Sequence, residues 1–207
     1  MLSAQGLGFS GPNGPVFAQF NLQLRPGVCL VQGGESRGKT TLLRLLAGEL
    51  QAQHGHVRLH LEAGVLDARE HAAAYRDHVV WTEPRSTAYD ATPVSAYLQT
   101  MRQHYPRWSA SLLDTLTQAL DLEPHWDKPL YMLSTGSKRK VWWATALASG
   151  AELALVDEPF AALDFASIRI LTAHLQTLVT QSHRIFVLAD YAAPAGLVPT
   201  QVVDLGD

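Results

Sequence analysis

The sequence predicts an α/β domain built on a mostly parallel core sheet, and three features carry that expectation. Residues 28–32, Leu153–Asp157 and Ile185–Ala189 are compact apolar runs of the kind that fill a sheet covered on both faces. The first runs directly into a glycine-rich segment followed by helical patterning, and the second ends in two acids. Between the second and the third, residues 167–180 read as the crossover helix of a βαβ unit.

The other elements follow in chain order. Residues 6–10 and 16–24 read as short strands on either side of the turn-rich Gly11-Pro12-Asn13-Gly14-Pro15, and Arg25-Pro26-Gly27 makes a second turn. With a further strand at 57–61 they predict a small N-terminal antiparallel β layer beside the main sheet. A helix is expected over 41–50, with Leu42, Leu45 and Leu46 on one face and Gly48 near its end. Val79-Val80-Trp81-Thr82 reads as another core strand. From 84 to about 150 the character changes: 94–103 and 111–120 pattern as helices, and Pro84, Pro93, Pro106, Pro124 and Pro129 punctuate the connections. The expectation is a helical lobe, 84–150, inserted in a single domain spanning 1–207. A last strand is expected at 202–205, with no regulatory or substrate-binding extension expected after it.

Composition narrows the function. A chain of 207 residues, 47% hydrophobic and 17% charged, can bury a core. Sixteen basic against nineteen acidic residues, a formal net charge of -3, argue against stable direct nucleic-acid binding, which rests on clustered positive charge. Cys29 is the only cysteine, so no intramolecular disulfide forms; a buried, apolar role is expected for it. The N-terminus lacks the basic start and apolar centre of a secretory signal, and no run approaches the ~20 apolar residues needed to span a bilayer. A cytoplasmic protein is expected, working at a membrane only by docking on another subunit.

The chemistry lies in two strings. Gly33-Gly34-Glu35-Ser36-Arg37-Gly38-Lys39-Thr40 has two glycines flanking four residues, then a lysine and a hydroxyl residue, the pattern of a phosphate-binding P-loop. Glycines let successive backbone N–H groups converge on one phosphate, and the following helix adds free N–H groups and its dipole. Residues from Gly33 to Thr41 are therefore the expected ATP contacts. Lys39 would serve the β- and γ-phosphates, and Thr40 Oγ a magnesium ion. The second string is Leu153-Ala154-Leu155-Val156-Asp157-Glu158-Pro159. It puts Asp157 at the sheet edge beside the loop, suited to holding Mg2+, and Glu158 where it can polarise an attacking water. Strand, loop, helix and acid together predict a P-loop NTPase.

Taken in order, these segments resemble the ATPase subunits of ATP-binding cassette transporters over nearly the whole chain. The family's signature, Leu-Ser-Gly-Gly-Gln, is matched by Leu133-Ser134-Thr135-Gly136-Ser137, followed by Lys138-Arg139-Lys140. Ala162-Leu163-Asp164 follows Glu158 as the family's D-loop does. The resemblance implies a head-to-tail dimer in which each nucleotide lies between the P-loop of one subunit and the signature of the other. Ser134 and Gly136 would then face the opposite γ-phosphate with a hydroxyl and a backbone N–H. Locally, Ser134 is also a helix cap, and residues 138–140 read as a solvated helix face.

Three positions depart from the family. Glu83 stands where a glutamine usually contacts magnesium, Asp190 where a histidine usually donates toward the γ-phosphate, and Phe9, ahead of Phe17, is the candidate for adenine stacking, a core role being equally open to it. The minimal length resembles small transporter ATPases, including the haem-exporter type. The leading expectation is an ATP-hydrolysing subunit that pairs with a second cassette and drives integral membrane subunits from the inner face of the membrane. Its alternatives are a weakly catalytic regulatory cassette and a soluble ATPase acting on protein or nucleic-acid complexes.

Overall fold

The computed structural model describes every residue except Asn13, Pro84, Arg85, Ser182 and Asp207, and of Gln181 the backbone alone. The turn residue Asn13, the opening Pro84 of the expected helical lobe and the terminal Asp207 thus lie outside the described residues. Among the described residues the strands form two sheets. A five-stranded parallel sheet has the order β6-β7-β8-β3-β9, formed by β6 (Val79–Thr82), β7 (Leu153–Asp157), β8 (Ile185–Ala189), β3 (Gly27–Gln32) and β9 (Gln201–Asp204). A four-stranded antiparallel sheet has the order β2-β1-β4-β5, from β1 (Leu2–Gly11), β2 (Gly14–Leu24), β4 (His54–Leu61) and β5 (Gly64–Asp67).

Alternation along the parallel strands divides the core. Cys29, Val31, Leu153, Leu155, Ile185 and Val187 face one side, where they meet Leu42, Leu43, Leu45 and Leu46 of helix α1 (Lys39–Leu46) and the inner face of the antiparallel sheet. Val28, Leu30, Ala154, Val156, Phe186 and Leu188 face the other, against Leu171 and Leu175 of α6 (Phe165–Gln181) and Trp143 of α5 (Thr135–Ala148). Burial of both faces explains why β7 and β8 are apolar without alternation, apart from the terminal Asp157. Each fully buried leucine contributes roughly 1.5–3 kcal/mol. Cys29 is buried, as expected, and burial pushes its thiol up to about 12.

Between β6 and β7 run α3 (Val94–His104), α4 (Ala110–Ala119), two short 3-10 turns and α5. Some bounds differ from the sequence expectation. α1 stops at Leu46 rather than 50 because Gly48, at φ 72°, takes the left-handed conformation that closes a helix. β1 begins at Leu2, and β5 and the short α2 (Ala72–Arg76) carry too few residues to show a period.

Candidate active site

The site is assembled at the C-terminal edge of the parallel sheet. Register places Val31 and Asp157 on either side of Ala189, so that the exits of β3, β7 and β8 lie side by side. β3 exits into the glycine-rich loop. Gly33 has φ 155°, Ser36 φ 59° and Gly38 φ 91°, and the Gly34 N–H is anchored on the carbonyl of Gly206 at 3.0 Å. A Cβ on Gly38 would lie 2.7 Å from Val16 Cγ1 and 3.1 Å from Phe17 Cζ, so this position needs glycine for its left-handed backbone and for the approach of β2. α1 then starts at Lys39 with its N-terminus open to the cavity.

The charged groups are held at close quarters. Lys39 Nζ donates to the carbonyls of Gly33 (2.5 Å) and Gly34 (2.7 Å), and lies 4.5 Å from the centre of the Tyr191 ring. Thr40 Oγ1 donates to Asp157 Oδ2 at 2.6 Å. Asp157 is buried, which raises its pKa; the charge of Glu158 adds to that, while Thr40 and Lys39 oppose it. Glu158 follows with φ 46°, its N–H donating to Ala189 O at 3.0 Å. Asp190 is fixed through its N–H to Val31 O at 3.1 Å, and its Oδ1 accepts the Tyr191 N–H at 2.8 Å. Burial first, then Glu158, raises the Asp190 pKa against the pull of the Tyr191 N–H and Lys39.

A cavity of about 410 Å³ results, lined by Glu35, Ser36, Arg37, Gly38, Lys39, Thr40, Thr41, Asp157, Glu158 and Asp190 together with Val16, Ala189 and Tyr191. The other expected site residues lie elsewhere. Glu83 follows β6, which β7 and β8 separate from the β3 strand that leads into the loop, and it does not line the cavity. Phe9 pairs with Phe17 across β1 and β2 and packs on the core; Val16 and Ala189 are the aliphatic side chains at the cavity wall.

Ser134, Thr135, Gly136 and Ser137 open α5 away from this cavity. Ser134 caps the helix by accepting the Ser137 N–H at 3.1 Å. Gly136 abuts the loop that follows β7: a Cβ there would overlap the carbonyl oxygen of Ala162. Asp164 accepts the Ser167 N–H at 2.8 Å and so caps α6. The reading of 138–140 as a solvated face is corrected. Lys138 pairs with Asp90 at 2.6 Å, Lys140 with Asp164 at 2.8 Å, and Arg139 is 3% exposed. The reason is helical spacing: 136, 139, 140 and 143 share the face that packs on the loop from Glu158 to Asp164.

The sequence pattern of the ABC transporter family matches residues 17–161. The chain belongs to the ABC transporter family. It is 32% identical over 183 residues to the cytochrome c biogenesis ATP-binding export protein CcmA of Xylella fastidiosa (strain 9a5c), covering 86% of this chain and 79% of that one. The protein of the same name from Pseudomonas savastanoi pv. phaseolicola is 35% identical over 162 residues, with coverage of 77% and 74%. Among solved structures, the ATP-binding subunit of an ABC transporter superposes with a TM-score of 0.79 at 18% identity, covering 91% of this chain and 79% of its own. A putative ABC transporter ATP-binding protein from Pyrococcus furiosus gives 0.72 at 19%, covering 99% and 96%. At those identities the structures show the fold alone, the P-loop cassette with its parallel and antiparallel sheets.

The chain is thus an ATP-binding ABC subunit of a transporter. Two residues on the cavity wall, Tyr191 beside Lys39 and Val16, stand where no motif points. Arg139, whose side chain reaches Glu158, lies in the run read as a solvated face; its i+3 spacing from Gly136 is the signal that could have placed it.

Proposed function

We propose that this chain is a magnesium-dependent ATPase subunit that drives an integral membrane transporter of the cytochrome c biogenesis type named for its relatives. The observation that supports it best is the 2.6 Å bond between Thr40 and Asp157, which brings the P-loop and the acid of β7 to one point beside Lys39. In this reading the loop from Gly33 to Thr41 holds the phosphates of ATP, with Lys39 leaving the carbonyls of Gly33 and Gly34 for the β- and γ-phosphates. Thr40 and Asp157 fit magnesium: both offer hard oxygens, one of them a carboxylate, and Mg2+ is commonly held by one or two carboxylates plus phosphate and water. A bound magnesium ion would neutralise phosphate charge there. Glu158, on the cavity wall with its side chain 56% exposed, orients the water.

The signature residues, remote from this cavity, act on the nucleotide of a second cassette subunit, which makes a homo- or heterodimer the working form. Among the described residues no helix is long and apolar enough to cross a membrane, in keeping with peripheral attachment at the inner face through membrane subunits. Glu158→Gln tests the assignment in the assembled complex. ATP should still bind while turnover falls ~10²-fold or more; turnover equal to the parent would remove Glu158 from this role. A second reading, a weakly catalytic regulatory cassette, draws on Asp190, a carboxyl on the wall of the phosphate cavity.

A further inference from the structure

Arg139 is 3% exposed, yet its guanidinium reaches two parts of one loop. Nη1 donates to the carbonyl of Ala161 at 2.7 Å, and Nη2 donates to Glu158 Oε2 at 3.2 Å. Its Nε is buried and makes no hydrogen bond within the described residues. A buried guanidinium with an unpartnered nitrogen carries a desolvation cost, which an ordinary surface ion pair would not offset. Burial accordingly pulls its pKa down, and the carboxylates of Glu158, Asp157 and Asp190 act against that.

The loop that Arg139 holds needs holding. Glu158 (φ 46°) and Ala162 (φ 61°) both lie in the left-handed region, a cost that surrounding contacts must outweigh. Those contacts come from one face of α5. Besides Arg139, Trp143 Nε1 donates to Pro159 O at 2.7 Å and its ring stacks on Phe160, and Lys140 pairs with Asp164. Of these side chains only Arg139 touches the carboxylate of Glu158. It engages Oε2 from the α5 side while the rest of that side chain stays open on the cavity wall.

We infer that Arg139 is a positioning residue for Glu158: its fork fixes the direction of the carboxylate and ties it to the helix that begins at Ser134. The link runs within one subunit, from the signature end of α5 through residue 139 to the acid beside the subunit's own nucleotide cavity. Lysine cannot reproduce it fully, because a point charge does not span two acceptors as the planar fork does.

The inference rests on Glu158 being the catalytic carboxylate that orients the water, and a double-mutant cycle separates the two. R139Q, R139K, E158Q, R139Q/E158Q and R139K/E158Q are prepared in the complete chain with its membrane partners, and single-turnover hydrolysis and Mg-ATP affinity are measured for each. R139Q should slow hydrolysis by about tenfold to a hundredfold, the usual consequence of a misplaced catalytic group, with affinity changed by less than about twofold. R139K should recover part of the rate. In the E158Q background R139Q should cost nothing more, since its effect passes through Glu158. Circular dichroism identifies any variant that fails to fold, in which case R139K alone carries the test through its rate and its cycle with E158Q. Equal losses in both backgrounds, or a native-like R139Q at the parental rate, would overturn the inference. An E158Q variant as fast as the parent would instead overturn the assignment of Glu158 itself.

Discussion

Thr40 Oγ1 and Asp157 Oδ2 lie 2.6 Å apart, joining residues 117 positions apart in the chain. The hydroxyl comes from the first turn of α1 and the carboxylate from the last position of β7, so the bond records the packing of that helix against that strand. If the pair is half of a magnesium site, Asp157→Asn should weaken ATP binding by at least about tenfold, or ~1.4 kcal/mol, when magnesium is present. Without magnesium the two proteins should bind alike. Titration calorimetry in magnesium and in chelator measures both, and an equal change in the two buffers would count against a metal role.

Lys39→Ala should weaken nucleotide binding in either buffer. The lysine stands between two loop carbonyls and the Tyr191 ring, and a charge-assisted contact to phosphate is worth up to about 3 kcal/mol, or roughly a hundredfold in Kd. Unchanged affinity would remove the cavity from consideration as the phosphate site.

How far the sequence carried depended on the length scale of each signal. β7 and β8 have the expected bounds because both faces of those strands are buried, which leaves an unbroken apolar run. The glycine-rich turn between β3 and α1 was legible because its glycines answer to a local backbone need, seen at Gly33 and Gly38. Arg139 was misread because Lys138-Arg139-Lys140 looks like solvent-facing charge, and its burial depends on the loop from Glu158 to Asp164, distant in sequence. Val16 gave no sign either, since its place at the cavity follows from how β2 lies over Gly38.

Gly38→Ala should destabilise the chain by about 1–3 kcal/mol, since the new methyl meets Val16 and Phe17 while the backbone stays left-handed. Gly64→Ala is the control: φ there is 139°, but nothing lies within 4 Å of a new Cβ, so only the backbone cost applies. Urea unfolding of the two variants should place Gly38→Ala below Gly64→Ala. The reverse order would mean that the β2 contact yields freely.

Asp190 gives a pH dependence of defined sign. Burial, reinforced by Glu158, raises its folded-state pKa above the ordinary 3.8, so over the window upward from that value the folded chain binds more protons than the unfolded one. Stability therefore falls as pH rises through the window, and the penalty is complete above the folded-state pKa. Asp190→Asn, which can keep the bond from the Tyr191 N–H, should gain on the parent progressively as pH rises above 3.8, up to the raised folded-state pKa. Melting curves at several pH values check this; a stability gap that stays constant or closes would show that the carboxyl pays no such cost.

The same carboxyl bears on turnover. Asp190 lines the cavity with Lys39 and Glu158, in the position where the family resemblance places a histidine, so an ionised group there opposes the negative charge that develops on the transferring phosphoryl. Protonation would remove the opposition, and burial pushes Asp190 in that direction, but a neutral acid already receiving the Tyr191 N–H is not an imidazole aimed at phosphate. A single well-placed donor in such a site is worth about 3 kcal/mol, on the order of a hundredfold in rate. Two effects are then separable. Asp190→Ala removes the charge and should raise single-turnover hydrolysis in the assembled complex; Asp190→His removes it and supplies a donor, and should raise the rate further. A parent that is already fast, with both variants equal to it or slower, would show that Asp190 is a structural acceptor for the Tyr191 N–H and that hydrolysis proceeds on Lys39 and Glu158 without a donor at position 190.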